Sequence, residues 1–143
     1  MPDREAREDG KRTRKALGDY FKPQWGEYEL HGSCMVFNEA GKKLFVRYSK
    51  FYPVPSHWWY DIPRNKWEGW QSRSLVFLMS RGNDVRFVLL EPEDSQKLLD
   101  RCPVNENGKK EIHIRKRGGN FDFNEWQAFS LTARVKTLPV PWA

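Results

Sequence analysis

The chain offers little sulfur chemistry: its 143 residues include two cysteines, Cys34 and Cys102, with 67 residues between them and no CxxC pair. That excludes a disulfide framework and a cysteine-based zinc site, and leaves reduced, partly buried thiols. Histidine is equally sparse. His31, His57 and His113 fall in no HxH or HExxH spacing, so no metal site can be read from the sequence and no cofactor is expected. No apolar run approaches the roughly 20 residues that cross a bilayer, so no membrane partner is expected either. The opening MPDREAREDGKRTRKALGDYF lacks the apolar stretch of a signal peptide and mixes acids among its arginines, against an organelle-targeting leader. A soluble, cytoplasmic protein, bacterial in style, is the expectation. GxSxG, Walker A and GxGxxG motifs are missing as well. Acyl transfer, NTP hydrolysis and dinucleotide chemistry therefore have no motif to rest on.

What is present is a globular balance, 38% hydrophobic and 31% charged residues, in a chain long enough to bury a core without covalent staples. The net charge of +6 is uneven. Residues 1–22 carry seven bases and five acids, residues 23–101 eleven and ten, and residues 102–143 seven and four. The densest basic stretch is KKEIHIRKR, residues 109–117, with five bases against Glu111. An excess of this kind favours polyanionic partners through counterion release.

Residues 3–22 read as a helix stopped by Pro23, with its polar first half frayed to about residue 12 and its KALGDYF end docked. The expected organisation is thus an N-terminal helical extension, 1–22, followed by a single α+β domain over 23–143. YELHGSCMVFNEAGKKLFVRYSKFY reads as two β runs around a turn at 38–41, and SHWWYDIP as a short third strand. RSLVFLMSRGNDVRFVLLEP is a hairpin whose LVFLM and FVLL runs are apolar on both faces, as central strands are. EDSQKLLDRC opens with acids suited to a helix N-terminus and ends before Pro103. KEIHIRKR alternates, Ile112 and Ile114 to one side and Glu111, His113, Arg115 and Arg117 to the other, which predicts a strand with one wet face. FDFNEWQAF, with Asn124 as N-cap, predicts a short C-terminal helix. The expected fold is α+β: an N-terminal helix, a five- to six-stranded, mainly antiparallel sheet, one late inserted helix and a short C-terminal helix.

The stretch SHWWYDIPRNKWEGW, residues 56–70, concentrates four tryptophans with a tyrosine, a histidine, an arginine and a lysine. In a strand, Trp58 and Tyr60 share one face and His57, Trp59 and Asp61 the other, so one of the paired tryptophans is expected inside and one outside. Trp67 and Trp70, in a polar segment beside Gly69, are expected at the surface. Arg64 and Lys66 lie among these rings, and Arg47 and Lys50 on the preceding strand. Flat rings beside cations are what stacking on bases requires.

Two resemblances bear on function. A leading helix, a mixed sheet and an aspartate followed by an acid on a later strand resemble the PD-(D/E)XK nuclease core, which implies Asp61 and Glu91 as its metal-binding pair. The lysine of that motif is missing, since Pro92 and Glu93 follow Glu91 and Glu111-x-His113 lacks it too. The succession RYSKFYPVPSHWWYDIP, VFLMSRGNDVRFVLLEPEDSQKLLD and KKEIHIRK, about residues 40–117, resembles small DNA-associated, nuclease-like domains of bacterial restriction and defence proteins, often without a full catalytic set. Three readings follow. The first is a non-catalytic nucleic-acid-binding domain, DNA favoured, whose wet face combines Arg47, Lys50, Arg64, Lys66, Arg115, Lys116 and Arg117 with the tryptophans. The second is a pocket for a small molecule or modified base, walled by Trp58, Trp59, Trp67 and Trp70 with His57 or Asp61 as anchor. The third is a metal-dependent nuclease at Asp61 and Glu91.

Overall fold

A computed structural model describes residues 4–67 and 73–142. The chain opens with helix α1 (Arg4–Trp25), followed by strands β1 (Tyr28–His31), β2 (Cys34–Phe37), β3 (Lys42–Pro53) and β4 (Ser56–Pro63). A single helical turn, α2 (Arg64–Trp67), precedes β5 (Ser74–Arg81) and β6 (Asp84–Leu90). Helix α3 (Pro92–Asp100), β7 (Lys109–Arg117), β8 (Asn120–Phe123), a 3-10 turn at Thr132–Arg134 and β9 (Lys136–Thr137) complete it. No helix among the described residues is long and apolar enough to cross a membrane.

The fold is more sheet-rich than the sequence predicts. Nine strands form one curled mixed sheet in the order β8-β7-β4-β3-β5-β6-β9, with β2 also paired to β3 and β1 to β2. Two features correct the α+β expectation. At the centre, β3 and β5 run parallel over Leu44↔Ser74 to Lys50↔Ser80, because β4 and α2 carry the chain back before β5 begins. The expected C-terminal helix is absent, since Phe121 and Phe123 point into the core from a strand paired to β7. Over residues 124–130 the chain turns without forming a helix, bringing Trp126 and Phe129 together as a stacked pair at 4.3 Å. Gly32, at φ +63°, adds a second reversal between β1 and β2 where the sequence reads one continuous run.

Curling gives the sheet two cores. Its inner one lies between the face of β3, β5 and β6 bearing Phe45, Phe77, Met79, Val88 and Leu90 and the folded-over β4, β7 and β8, which contribute Trp58, Tyr60, Ile62, Ile112, Ile114, Phe121 and Phe123. Tyr60 and Phe77 meet edge to face at 4.8 Å, and the buried Tyr60 hydroxyl donates to Leu78 O at 2.9 Å. The outer core lies under α1, where Ala16, Leu17 and Phe21 cover Val46, Val76, Leu78 and Phe87. Gly18 allows this approach, because a Cβ there would overlap the Tyr28 ring.

Helix α1 differs from its expected form at both ends. It continues through Pro23 to Trp25, held by the Phe21–Trp25 stack at 4.2 Å and closed by Gly26 in the left-handed region at φ +86°. Its first half is helical from Arg4 and docked on the sheet. Asp9 accepts hydrogen bonds from Tyr48 Oη and Ser80 Oγ, both at 2.5 Å, and Gly10 is buried against the Tyr48 ring.

Candidate nucleic-acid interface

Strict alternation along β4 separates the two tryptophans that the sequence places side by side. Trp58 is 3% exposed, packs on Phe51 at 5.1 Å and donates its indole N–H to Ser80 O at 3.1 Å. Trp59, on the other face, is 41% exposed. Opposite it in register stands His113 of β7, and the two rings lie nearly parallel, 5° apart with centroids at 6.2 Å. The rest of this outer face is polar: His57 pairs with Arg115, and Asp61 with Glu111.

Each imidazole on this face is held by one ring nitrogen. His113 Nδ1 lies 2.7 Å from Oε2 of the largely buried Glu125, whose Oε1 accepts the His113 backbone N–H, also at 2.7 Å. His57 Nδ1 lies 2.6 Å from Pro55 O. The imidazole centroids are 5.9 Å apart, and His57 in turn stacks on Tyr52 at 5.2 Å. Lys50 Nζ sits over the Tyr52 ring at 5.5 Å. Contacts thus link Trp59, His113, His57, Tyr52 and Lys50 into one strip of flat rings ending in a cation.

Strand directions place that cation end among others. Since β3, β5 and β7 run one way and β4, β6 and β8 the other, the turns after β3, β5 and β7 all emerge at the same end of the sheet. Arg81, whose guanidinium lies 4.2 Å over Phe51, and Arg86 and Lys116 line a small depression there with Trp58 and Phe121. Beside it opens a cleft of about 790 Å³ between α1 and the ends of β3 and β5, lined by Arg4, Arg12, Lys50 and Arg81 with Glu5, Glu8 and Asp9 among them. Asp9 anchors this cleft: burial raises its pKa, but the hydrogen bonds from Ser80, Tyr48 and Arg12 outweigh that and hold it below the ordinary carboxylate value. Burial and the Asp9 carboxylate push the Tyr48 phenol well up, so it stays a donor.

The residues singled out in the sequence are not all brought together. Lys50 and Arg115 belong to the strip. Arg117 follows at the end of β7, 3.6 Å from Asp122, while Lys116 faces the other side of that strand, towards Trp58 and Phe121. Arg47 projects from the opposite face of β3 to Lys50. It is half buried over Phe45 with Nη1 3.4 Å from Ser33 Oγ, and burial lowers its pKa while Asp61 opposes that shift. Arg64 and Lys66 sit on α2, where the Arg64 amide is bonded to Gly108 O. Trp67 is half buried against the inner core, with Lys110 Nζ 4.4 Å over its ring and bonded to Leu99 O. Trp70 lies outside the described residues. Asp61 and Glu91 do not converge: they stand on β4 and beyond β6, three strands apart, and Glu91 pairs with Lys42 at 3.7 Å. Among the described residues no three His, Cys, Asp or Glu side chains group as metal ligands.

No protein-family model, curated protein or solved structure matches the chain. The interface is therefore read from its own chemistry. Sequence reasoning did not single out Tyr52, Arg81 or Glu125, because their roles come from cross-strand stacking, a shared sheet end and a turn packed against β7. For His113 the signal was there, in the alternating pattern of KEIHIRKR.

Proposed function

We propose that the protein binds single-stranded nucleic acid along the strip from Trp59 to Lys50, with bases on the rings and phosphates on the cations at the adjoining sheet end. The observation that carries this reading is the exposed Trp59, parallel to His113 and continued by His57 and Tyr52. An open sheet face presenting aromatic rings takes unpaired bases, each stacked base contributing on the order of 1–3 kcal/mol. Arg115, Lys50 and Arg81 supply the backbone attraction. A paired duplex hides its base faces and gains only the phosphate contacts. The acidic pair Asp61 and Glu111 bounds the strip on the side away from the cations. A cytoplasmic location belongs to the same proposal.

Fluorescence anisotropy with 12-nucleotide single strands of DNA and RNA, and with the matching duplexes, tests it at about 50 mM salt. Single strands are expected to bind more tightly than duplex, with Trp59 emission quenched. Failure to bind either single strand, or an affinity indifferent to Trp59→Ala, removes the reading.

A further inference from the structure

We propose that the His57–His113 pair cleaves bound RNA by metal-independent acid–base catalysis, an inference that rests on the single-strand reading above. Backbone carbonyls and carboxylates only accept hydrogen bonds, so the contacts to Pro55 O and Glu125 Oε2 put a proton on Nδ1 of both rings. Nε2 of each ring is then the atom left for the reaction. The ring centroids stand 5.9 Å apart, so one phosphodiester lying across both rings can reach the two Nε2 atoms, with Arg115 directly across from His57 and the exposed Trp59 beside His113.

The geometry assigns the two roles. Glu125 orients His113 and stabilises the imidazolium that forms when its Nε2 takes a proton, as a buried carboxylate does for a histidine base. His113 is therefore the base that removes the proton of a ribose 2′-hydroxyl. The 2′-oxygen forms a bond to phosphorus, the bond from phosphorus to the 5′-oxygen breaks, and His57, entering as imidazolium, donates its Nε2 proton to that leaving oxygen. The products are a 2′,3′-cyclic phosphate and a 5′-hydroxyl end. One proton is taken and one given, so no metal, water or oxidant enters the step. Arg115 sits where the charge of the non-bridging oxygens builds, and Trp59 holds a neighbouring base.

The test incubates the full-length chain, in EDTA, with an end-labelled RNA 12-mer and its all-DNA equivalent. Expected are RNA fragments ending in 2′,3′-cyclic phosphate and an intact DNA strand. His57→Gln and His113→Gln should each slow cleavage of saturating, fully bound RNA by about 100- to 10,000-fold, so that any change in affinity does not enter the rate. Glu125→Gln, acting through His113, should lower kcat and leave KM unchanged. If His113→Gln does not fold, His57→Gln, at the edge of the β3–β4 turn, carries the test alone. Binding of RNA without cleavage, cleavage abolished by EDTA, equal cutting of DNA, or full rates in the histidine variants would each overturn this inference and leave the binding reading standing. No binding to any single strand would remove both.

Discussion

Trp58 and Trp59 are neighbours in sequence with opposite environments, so truncating each separates fold from function. Trp58→Ala removes a ring that is 3% exposed and wedged against Phe51 and Phe121 at 5.1 and 6.1 Å. A cavity of that kind costs about 3–5 kcal/mol. The same change leaves Ser80 O without the indole N–H, adding about 1 kcal/mol. Against a domain stability of roughly 5–15 kcal/mol this is a large share. At about 4 °C per kcal/mol for a chain of this length, the melting temperature should fall by more than about 12 °C. Trp59→Ala removes a ring that is 41% exposed, and should cost under about 1 kcal/mol and under about 4 °C. Its effect belongs to binding, where one stacked base is worth about 1–3 kcal/mol, or about 5- to 150-fold in Kd. Thermal melts followed by circular dichroism and anisotropy titrations on both variants make the comparison. If Trp59→Ala melts as low as Trp58→Ala, or if Trp58→Ala melts within about 4 °C of the parent, the assignment of the faces of β4 is refuted.

Phe87→Ala, at a position 2% exposed where β6 meets α1 through Phe21 at 5.6 Å, should cost about 3–5 kcal/mol in a denaturant melt. A loss under about 1 kcal/mol would show that α1 does not cover this face. Asp9→Asn should loosen α1 from Tyr48 and Ser80. Because the folded-state pKa of Asp9 is depressed, its contribution is present above the ordinary carboxylate value near 4 and is lost as pH falls through the lower folded value. The stability gap between parent and Asp9→Asn is accordingly widest at neutral pH and closes in acid; a gap that widens below about pH 4 contradicts the assignment. Replacing Lys50, Arg81 and Arg115 together by glutamine should reduce the log–log salt slope of single-strand binding by about 2, at roughly 0.7 for each phosphate that the variant no longer neutralises. An unchanged slope would place the phosphates elsewhere.

Local patterns in the chain were sufficient for several elements. The LVFLM and FVLL runs, apolar on both faces and joined across Gly82, form the β5–β6 hairpin because a central strand must bury both faces. Alternation in KEIHIRKR determined that Ile112 and Ile114 point inward and His113 and Arg115 outward, since the side-chain period of a strand is two. The same rule required one of Trp58 and Trp59 to face the core. Choosing Trp58 took the curl of the sheet, which lays β4 over β5 so that the Trp58 and Tyr60 side chains reach Ser80 O and Leu78 O.

Pairing between distant segments carried no local signal. The parallel alignment of β3 with β5, the assignment of Phe121 and Phe123 to a strand, and the docking of Asp9 on Ser80, 71 positions away, depend on partners that no short window contains. Local preference for a helix in FDFNEWQAF yielded to the larger gain of burying two phenylalanines against β7 and β5. The candidate site follows the same division. Strand alternation grouped His57 with Trp59 on one face of β4 and put His113 on the wet face of β7, while the joining of those two faces, the 5.9 Å approach of the two imidazoles, the grip of Glu125 on one of them and the gathering of Lys50 and Arg81 at one sheet end arise only when the strands are assembled side by side.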